Sequence, residues 1–525
     1  MNHRYVFSQL ALLFLVLSLI LFVMAGGFFG THMFVEEYQI DPQARSALII
    51  SGAIGLIIGG LLWLFTRGGV KRLGRKEALL LVALSWILGA AYVALPFYLW
   101  ANLHPDIVDH PFKSFTDCYF EAMSGLTTTG ATILGGEGAS IENIPRSLLL
   151  WRSLSHWLGG LGIVVLFVAV LPSLGVGARK LFRIETPGPQ PRGLTPHIRE
   201  TARVLAYIYL GLTLAAILLL RATAWLGLSE IGWFDSICHT FSMVSTGGLS
   251  TRDASIAHYN SWALELICLP FMLFAGINFA IFYLMVRGQW WKAWHDTELR
   301  VYLVLMGVCL IGIMAVMTGL PTIITTAGRE IAMNPFENFR FSSFQMISLN
   351  TGTGYTTADY DPWPFLSRVL LVMLMFIGGC AGSTAGGIKV IRVWIVFKII
   401  AANFEKSFRP NVIRPLRINN AVMDDEMKLS AVVYVMSFLI LFALGAVFLR
   451  LLELGSEQGD FPTVLGASLA TLGNIGPALY GVGAMENYAW FSPASKWIMS
   501  SLMLLGRLEV FTILVLLTPR FWRTD

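Results

Sequence analysis

Charged residues are scarce in this chain. Asp, Glu, Lys and Arg make up 13% of its 525 residues, whereas apolar residues make up 56%. Soluble domains carry about 25% charged residues, and no polar stretch here is long enough to close a core of its own. With a mean hydropathy of +0.67, the composition excludes an ordinary soluble protein and predicts a surface that is largely covered by lipid.

Metal-binding and nucleotide-binding motifs are also missing. The five cysteines are scattered without a CxxC pair, the nine histidines show no HExxH spacing, and no GxxxxGK[ST] loop is present. A zinc site, a disulfide framework and a phosphate-binding loop therefore have no support. A membrane-embedded enzyme would need His, Cys or carboxylate side chains assembled at bilayer depth, and no such set stands out. We expect no enzyme, no cofactor and no nucleic-acid partner.

Long apolar runs dominate the chain instead. The first, residues 7–29, exceeds the core of a signal peptide, which is about 7–15 residues, and is long enough to span a bilayer. Nine further runs follow it. Ten spans are therefore predicted, near residues 7–29, 47–66, 77–100, 150–175, 202–227, 264–286, 298–320, 366–399, 429–452 and 495–518.

Basic residues are concentrated in every second loop and near the end of the chain. By the positive-inside rule, these loops and both termini are predicted to be cytoplasmic. Ten spans with both ends on one side agree with this assignment. The basic residues are Arg67, Lys71, Arg72, Arg75, Lys76, Arg179, Lys180, Arg183, Arg192, Arg199, Arg203, Arg287, Lys292, Arg300, Lys398, Lys406, Arg409, Arg414, Arg417, Lys428, Arg520 and Arg523.

Four short polar stretches, each between two apolar spans, place a glycine at or near the end of a run that is mostly Ser and Thr. The glycines lie 117, 107 and 119 residues apart, so the chain repeats itself four times. Polar backbone at membrane depth is tolerated only where it lines water or is buried in protein. A single stretch favours tight helix packing by small residues, but four on the same side favour a pore. The stretches are Thr128-Thr129-Gly130-Ala131, Ser245-Thr246-Gly247-Gly248, Gly352-Thr353-Gly354-Tyr355 and Thr471-Leu472-Gly473-Asn474.

Each polar stretch follows an apolar run too short to span, such as residues 115–126 or 461–469. Such runs predict re-entrant half-helices. The predicted fold is an all-α polytopic membrane protein with four tandem helix–pore-loop–helix repeats around a pseudo-fourfold pore, plus two extra N-terminal transmembrane helices. The N-terminal pair is assigned to residues 1–68, and the repeats to residues 69–178, 200–290, 296–418 and 426–525.

Carbonyl oxygens from four converging stretches can replace the hydration shell of a cation. Glycine reaches positive φ without a steric penalty, which predicts one such glycine at an equivalent place in each stretch. Hydroxyls of Thr128, Ser245 and Thr471 are expected to add oxygens, and Gly352 has none. The predicted potassium-binding residues are Thr128, Thr129, Gly130, Ser245, Thr246, Gly247, Gly352, Thr353, Gly354, Thr471, Leu472 and Gly473.

The eighth span contains five glycines within ten residues. Each costs a helix about 1 kcal/mol relative to alanine, so we predict that the helix breaks there and that the irregular backbone lines a cavity. The alternatives are a close crossing of small residues and a phosphate-binding loop, which lacks the required lysine. The residues concerned are Gly378, Gly379, Gly382, Ser383, Thr384, Gly386 and Gly387.

Two of the basic residues within the predicted spans are considered for a role near the pore. Arg507 is in the middle of the last span, where a charge costs about 2.5–3.5 kcal/mol on insertion scales and usually faces a bundle interior. We predict that it faces the pore; an ion pair with Glu509 is the alternative, although residues two apart lie on different helix faces. Lys389 follows the glycine run, and extension of its side chain to the membrane surface accounts for its position.

These stretches resemble the Trk/Ktr/HKT superfamily of potassium transporters, most of all its bacterial TrkH branch, over nearly the whole chain. The resemblance implies four linked channel-like repeats around one pore. It associates glycine in all four filters with potassium and serine in the first with sodium, so Gly130, Gly247, Gly354 and Gly473 favour K⁺ as the transported ion.

The resemblance also implies roles and partners. The glycine-rich loop would be the gate, with Lys389 after it and Arg507 at the constriction below the filter. The protein would be a homodimer surrounded by lipid in the bacterial cytoplasmic (inner) membrane, on a cytosolic ring of TrkA-type nucleotide-binding subunits. The function expected is gated potassium uptake driven by the membrane potential. A Na⁺- or H⁺-coupled symporter of the same architecture is the alternative, although no convincing carboxylate lies between filter and gate.

Overall fold

The computed structural model describes residues 2–26, 41–67, 74–107, 109–136, 138–169, 197–411, 415–419 and 421–523. Almost all regular structure in this part of the chain is α-helix. The helices are α1 (His3–Ala25), α2 (Pro42–Thr66), α3 (Arg75–Leu103), α4 (Phe115–Leu126), α5 (Arg146–Ala169), α6 (His197–Trp225), α7 (Trp233–Val244), α8 (Trp262–Ala275), α9 (Phe279–Val286), α10 (Trp290–Trp294), α11 (Thr297–Met317), α12 (Pro335–Thr351), α13 (Phe365–Phe376), α14 (Val390–Phe408), α15 (Asp425–Leu452), α16 (Phe461–Gly473), α17 (Pro493–Arg507), α18 (Phe511–Leu514) and α19 (Pro519–Trp522).

Strands are short and form two small antiparallel hairpins. β1 (Thr322–Ile324) pairs with β2 (Glu330–Ala332), and β3 (Arg417–Ile418) pairs with β4 (Ala421–Val422). Short 3₁₀ turns cover Pro111–Lys113, Ile141–Asn143, Ser255–Tyr259, Tyr480–Val482 and Val515–Leu517. These elements connect helices, and the core is formed by the helices themselves.

Helices lie at all ten predicted span positions. Six of the described helices are individually long and apolar enough to cross a membrane, or up to eight if each of two bent pairs is counted as one span. Part of the basic sequence used to predict orientation, including Lys71, Arg72, Arg179, Lys180 and Arg183, lies outside the described residues. The boundaries predicted near residues 68 and 178 lie there too.

The prediction of one broken span was incomplete, because three spans are interrupted within the described residues. α13 and α14 are separated by residues 377–389, as the glycine run indicated. In addition, α8 and α9 meet at an angle of 99°, and α17 bends by 109° into the segment that begins with α18. The first bend follows Gly276, and the Asn278 side chain caps α9 by accepting from the Ala280 amide at 2.9 Å. At the second, Glu509 and Val510 have φ values of 54° and 24°.

The membrane helices group into four similar units after the N-terminal pair α1 and α2. Unit 1 is α3–α5, unit 2 is α6–α9, unit 3 is α11–α14 and unit 4 is α15–α18. In each unit a short helix stands between the two spans, namely α4, α7, α12 or α16, with 12, 12, 17 and 13 residues. At about 1.5 Å per residue, these helices are shorter than the hydrocarbon core of a bilayer, which is about 30 Å thick.

Buried ion pairs join neighbouring units. The Arg340 guanidinium of unit 3 binds both carboxylate oxygens of Glu265 in unit 2, at 2.7 and 2.6 Å. The Lys496 ammonium of unit 4 binds Asp117 of unit 1 at 2.5 Å. Such pairs lose hydration on burial and are stable only when their geometry and hydrogen bonding are good. Each pair ties one short helix, α12 or α4, to a helix of a neighbouring unit.

Candidate functional site

After each short helix, the backbone takes the same alternating conformation. In each unit a residue with positive φ is followed by one outside the left-handed region and then by a glycine with positive φ. The pairs with positive φ are Thr128 (51°) and Gly130 (83°), Thr246 (58°) and Gly248 (74°), Gly352 (72°) and Gly354 (73°), and Asn474 (53°) and Gly476 (90°). We call these four segments the filter strands.

The four filter strands form a closed ring. A methyl group placed on Gly130 would overlap the carbonyl oxygen of Gly247 in the next unit. The same construction on Gly248 meets the Thr353 carbonyl, and on Gly354 it meets the Ile475 carbonyl. On Gly476 it lies 2.8 Å from the Thr129 carbonyl oxygen, which returns to the first unit. Each glycine thus lies against the carbonyl that precedes the equivalent glycine of the following unit.

This geometry corrects the predicted register in two of the four units. Gly247 and Gly473 are absent from the residues with positive φ, and Gly248 and Gly476 take the equivalent positions. Thr471, Leu472 and Gly473 form the last residues of α16. The expected positive φ at Gly473 was wrong, because this glycine ends a helix. Asn474 supplies the left-handed residue instead, a conformation that asparagine tolerates.

The three hydroxyls that were expected to add oxygens differ in their surroundings. The Ser245 hydroxyl donates to the Phe241 carbonyl at 2.7 Å, and the Thr471 hydroxyl donates to the Ala467 carbonyl at 2.7 Å, both within their own short helices. Thr128 differs, because its Oγ1 is buried and has no hydrogen-bond partner within the described part of the chain. Two of the three hydroxyls therefore stabilise helix ends.

The Asn474 side chain links unit 4 to unit 1. Its amide nitrogen donates to Thr129 Oγ1 at 2.9 Å and to the Met503 carbonyl at 2.9 Å. Thr129 in turn shares a hydrogen bond of 2.8 Å with Thr127. These contacts are fully buried and close the ring at the junction between the last and first units.

Loops beside the filter strands are also tied across units. Asp253 of unit 2 accepts from the Ile141 amide at 2.8 Å and from the Ser140 hydroxyl at 2.6 Å. His258 lies 3.7 Å from Glu142, and desolvation lowers its pKa below the usual value. The imidazole is therefore neutral near pH 7, and Arg252 remains the cation of this group.

The loop between α13 and α14, residues 377–389, is held against the bend of unit 2. The Cys380 amide donates to the Gly276 carbonyl at 2.8 Å, and the Phe279 amide donates to the Gly382 carbonyl at 3.1 Å. The loop ends are joined where the Gly378 amide donates to the Ile388 carbonyl at 3.0 Å. The two breaks, in units 2 and 3, thus satisfy each other's backbone groups, as irregular backbone within a membrane requires.

Thr384 connects this loop to the filter and to Arg507. Its carbonyl accepts from the Thr246 hydroxyl at 2.8 Å and from Arg507 Nη1 at 2.6 Å. A methyl group on Gly386 would overlap the Gly473 carbonyl at the end of α16. The loop therefore lies directly against the filter strands, and the predicted gate residues 378–387 are brought together with Arg507.

Arg507 is buried with an unusual shortage of partners. Its side chain is 4% exposed, and Nε and Nη2 have no hydrogen-bond partner within the described residues. Glu509, the alternative partner, instead binds Arg392 at 2.5 Å. The Lys389 ammonium donates to the Ala385 carbonyl and the residue is buried, so it does not extend to the membrane surface.

Glu298, at the start of α11, holds both sides of the loop. Its Oε1 accepts from the Ala381 amide at 2.8 Å and from the Ile391 amide at 3.3 Å. The residue is 4% exposed. An acidic residue in the first turn of a helix is an ordinary capping pattern, so the sequence offered no signal for this second function.

Comparison with known proteins places the chain in a family. Residues 44–523 match the TrkH family of cation transport proteins. The chain is 37% identical over 472 residues to the Trk system potassium uptake protein TrkH of Salmonella typhimurium, covering 90% of this chain and 91% of that protein. It is 31% identical over 526 residues to TrkI of Halomonas elongata, covering 99% and 96%.

A solved structure agrees with this match. The crystal structure of the potassium transporter TrkH from Vibrio parahaemolyticus superimposes with a TM-score of 0.83 at 30% identity, covering all of both chains. The chain belongs to the TrkH family. Its all-helical membrane fold is therefore confirmed.

Several residues of this TrkH family member were missed by sequence reasoning. Gly248 stands directly after the predicted glycine, and the Asn474-Ile475-Gly476 pattern was the available signal in unit 4. No sequence signal pointed to Glu298 or to the bend after Arg507, because the role of each depends on contacts with residues that are distant in the sequence.

Proposed function

We propose that this TrkH family member conducts potassium into the bacterial cell through the ring of filter strands. The observation that carries the proposal is the closed fourfold contact of glycine against carbonyl. It brings four buried polar backbone segments to one place in a membrane protein, where polar backbone needs water, an ion or protein around it. The relatives named as potassium uptake proteins support potassium as the ion.

The Thr129, Gly247, Thr353 and Ile475 carbonyls would replace water around the ion. The four short helices end at these strands, so their C-terminal ends, each carrying about half a negative charge, favour a cation nearby. The strands differ in side chains and in the Asn474 contacts, so the coordination is less symmetric than in a channel of four identical chains.

Residues 377–389 would act as the gate, with Arg507 as a fixed positive charge that opposes a cation. The loop is held to the filter and to Arg507 through Thr384 by two hydrogen bonds. A typical hydrogen bond contributes about 1 kcal/mol net, so displacing this contact is within the reach of partner binding. Lys389 would then help to hold the loop in its closed position through the Ala385 carbonyl.

The membrane potential would drive uptake. It contributes about 2.3 kcal/mol per charge per 100 mV, which at about 1.4 kcal/mol per tenfold corresponds to roughly 50-fold accumulation. Flux at a clamped voltage, measured with the proton gradient collapsed, separates this mechanism from coupled symport.

Regulation would come from the cytoplasm. We place both termini there, in a homodimer of the inner membrane on a ring of TrkA-type nucleotide-binding subunits. The end of α14 presents Phe404 and Phe408, 69% and 70% exposed, beside Lys406 and Arg409. This apolar and basic helix end continues directly from the gate, so a partner bound to it can pull on the loop.

The test is Gly130→Ser in proteoliposomes, with K⁺ and Na⁺ flux measured separately. The side chain would collide with the Gly247 carbonyl, so we expect the preference for potassium to fall at least tenfold. Gly138→Ser is the matched control, because Gly138 also has positive φ (84°) but nothing lies within 4 Å of an added carbon. An unchanged preference in Gly130→Ser would overturn the filter assignment.

A further inference from the structure

A crevice lies at the junction between units 3 and 4. It has a volume of about 310 Å³ and is bounded by α13, α15 and α16. Apolar side chains form most of its walls, including Val372, Phe376, Phe442 and Leu469. Two other junctions between units are closed by the buried ion pairs of Arg340 and Lys496. The junction between units 3 and 4 contains an apolar space instead.

Exposed aromatic side chains lie at one end of the crevice. Phe365 lines it and is 75% exposed, and Phe461, next to the lining residue Pro462, is 65% exposed; they are the first residues of α13 and α16. Large apolar side chains at these positions of a spanning protein face acyl chains. The crevice therefore opens into the lipid layer.

Arg368 lines the end of the crevice near the start of α13, one turn after Phe365. Its Nη1 donates to the Tyr480 hydroxyl at 3.3 Å. Its Nε is buried and has no hydrogen-bond partner within the described residues. Both oxygens of the nearby Asp361 carboxylate face the Tyr480 amide, at 3.0 and 3.1 Å. The guanidinium thus retains donor capacity directly above an apolar space.

We propose that this crevice is a phospholipid site, with the lipid phosphate on Arg368 and one acyl chain between α13 and α16. An arginine offers paired N–H donors that match a phosphate. A basic residue near the end of a spanning helix lies at headgroup depth. A volume of about 300 Å³ is the lower range of ligand cavities, which suits part of one chain but no folded partner.

The site adjoins the machinery of the pore. Phe376 is the last residue of α13 before the loop 377–389, and α16 leads into the filter strand of unit 4. A bound chain would therefore contact both elements from the lipid side. Binding itself does not depend on the proposed ion selectivity, so the two proposals can fail separately.

The experiment reconstitutes the full chain in vesicles of phosphatidylcholine and phosphatidylglycerol in equal parts, extracts it gently, and counts retained lipids by native mass spectrometry. We expect one retained phosphatidylglycerol per chain. Val372→Trp fills the crevice and Arg368→Gln removes the phosphate partner; each should lower the retained fraction at least tenfold.

Matched controls separate the site from general lipid attraction. Met373→Trp adds the same side chain at the adjacent residue, which is 38% exposed and does not line the crevice. Arg450→Gln removes a cation near the end of α15. Both should retain the lipid. Equal lipid retention in Val372→Trp and Met373→Trp would overturn the proposal. A change of oligomeric state in Val372→Trp without lipid loss would also overturn it, because it would indicate that a second copy of the chain occupies the crevice.

Discussion

At the scale of single residues, the site depends on which positions take a left-handed backbone. Thr128, Thr246 and Asn474 accept positive φ although they are not glycine, a conformation that costs on the order of 1–3 kcal/mol for such residues. This strain is maintained because neighbouring strands fix the carbonyl positions. The glycine two residues later is required for a different reason, since the next unit leaves no space for a Cβ.

Gly476→Ala and Gly473→Ala test this assignment as a matched pair. Gly476 has a φ of 90°, and an added carbon would lie 2.8 Å from backbone atoms of unit 1. At Gly473 the added carbon meets mainly the flexible Ile475 side chain, at 2.9 Å, in a helical backbone. We expect Gly476→Ala to lower the potassium-over-sodium flux ratio at least tenfold and Gly473→Ala to change it less than twofold. A larger fall of the flux ratio in Gly473→Ala than in Gly476→Ala would instead support the filter position of Gly473 that was predicted from the sequence.

At the scale of elements, the important features are the interruptions of the spanning helices. Three spans are interrupted in the described part of the chain, and backbone groups of the loop 377–389 are satisfied by the bend of unit 2 and by Glu298. A loop held by individual hydrogen bonds has a lower opening free energy than a packed helix. That difference makes it suitable as a moving part.

Glu298→Ala should loosen the loop. It removes an acceptor shared by two amides on opposite sides of the loop, and hydrogen bonds to charged groups contribute about 1.5–3 kcal/mol. We expect basal potassium flux to rise roughly tenfold, because about 1.4 kcal/mol changes a population by that factor, with an unchanged potassium-over-sodium ratio.

Glu298→Gln keeps an oxygen acceptor and should give an intermediate flux. Glu426→Ala, an exposed carboxylate at the start of α15, should have no effect. A rise in flux accompanied by loss of selectivity would instead assign Glu298 to the support of the filter strands.

At the scale of the whole molecule, four units of one chain must meet in a ring. Unlike four identical subunits, they are joined by different contacts: Arg340 with Glu265, Lys496 with Asp117, and Arg152 with the Ser250 carbonyl at 2.8 Å. These contacts lie around the short helices, so they set the spacing of the filter strands.

Arg340→Met should destabilise the fold strongly, because it leaves Glu265 as an unpaired buried carboxylate. Breaking such a pair costs about 3–5 kcal/mol, which should appear as a lower free energy of unfolding in detergent micelles. Lys428→Met removes the half-buried partner of the exposed Asp425 carboxylate and should cost less than about 1 kcal/mol. Adding Glu265→Gln to Arg340→Met should restore part of the loss, and equal costs for the two single variants would contradict the role of the buried pair.

Composition and hydropathy were sufficient to predict an all-helical membrane protein. Lipid exposure and backbone hydrogen bonding restrict such a chain to few structures. The half-helix at 115–126 and the broken eighth span were also readable, since apolar length and glycine content act locally. The potassium-transporter family was recognisable from the same residues.

The tertiary structure decided the details of the site. The filter register depends on which glycine faces a carbonyl of another unit, and those residues are about a hundred positions apart in the chain. The bends after Gly276 and Arg507, and the attachment of the loop to Glu298, likewise depend on contacts between units. Local sequence determines which backbone conformations are possible, and only packing across the ring selects among them.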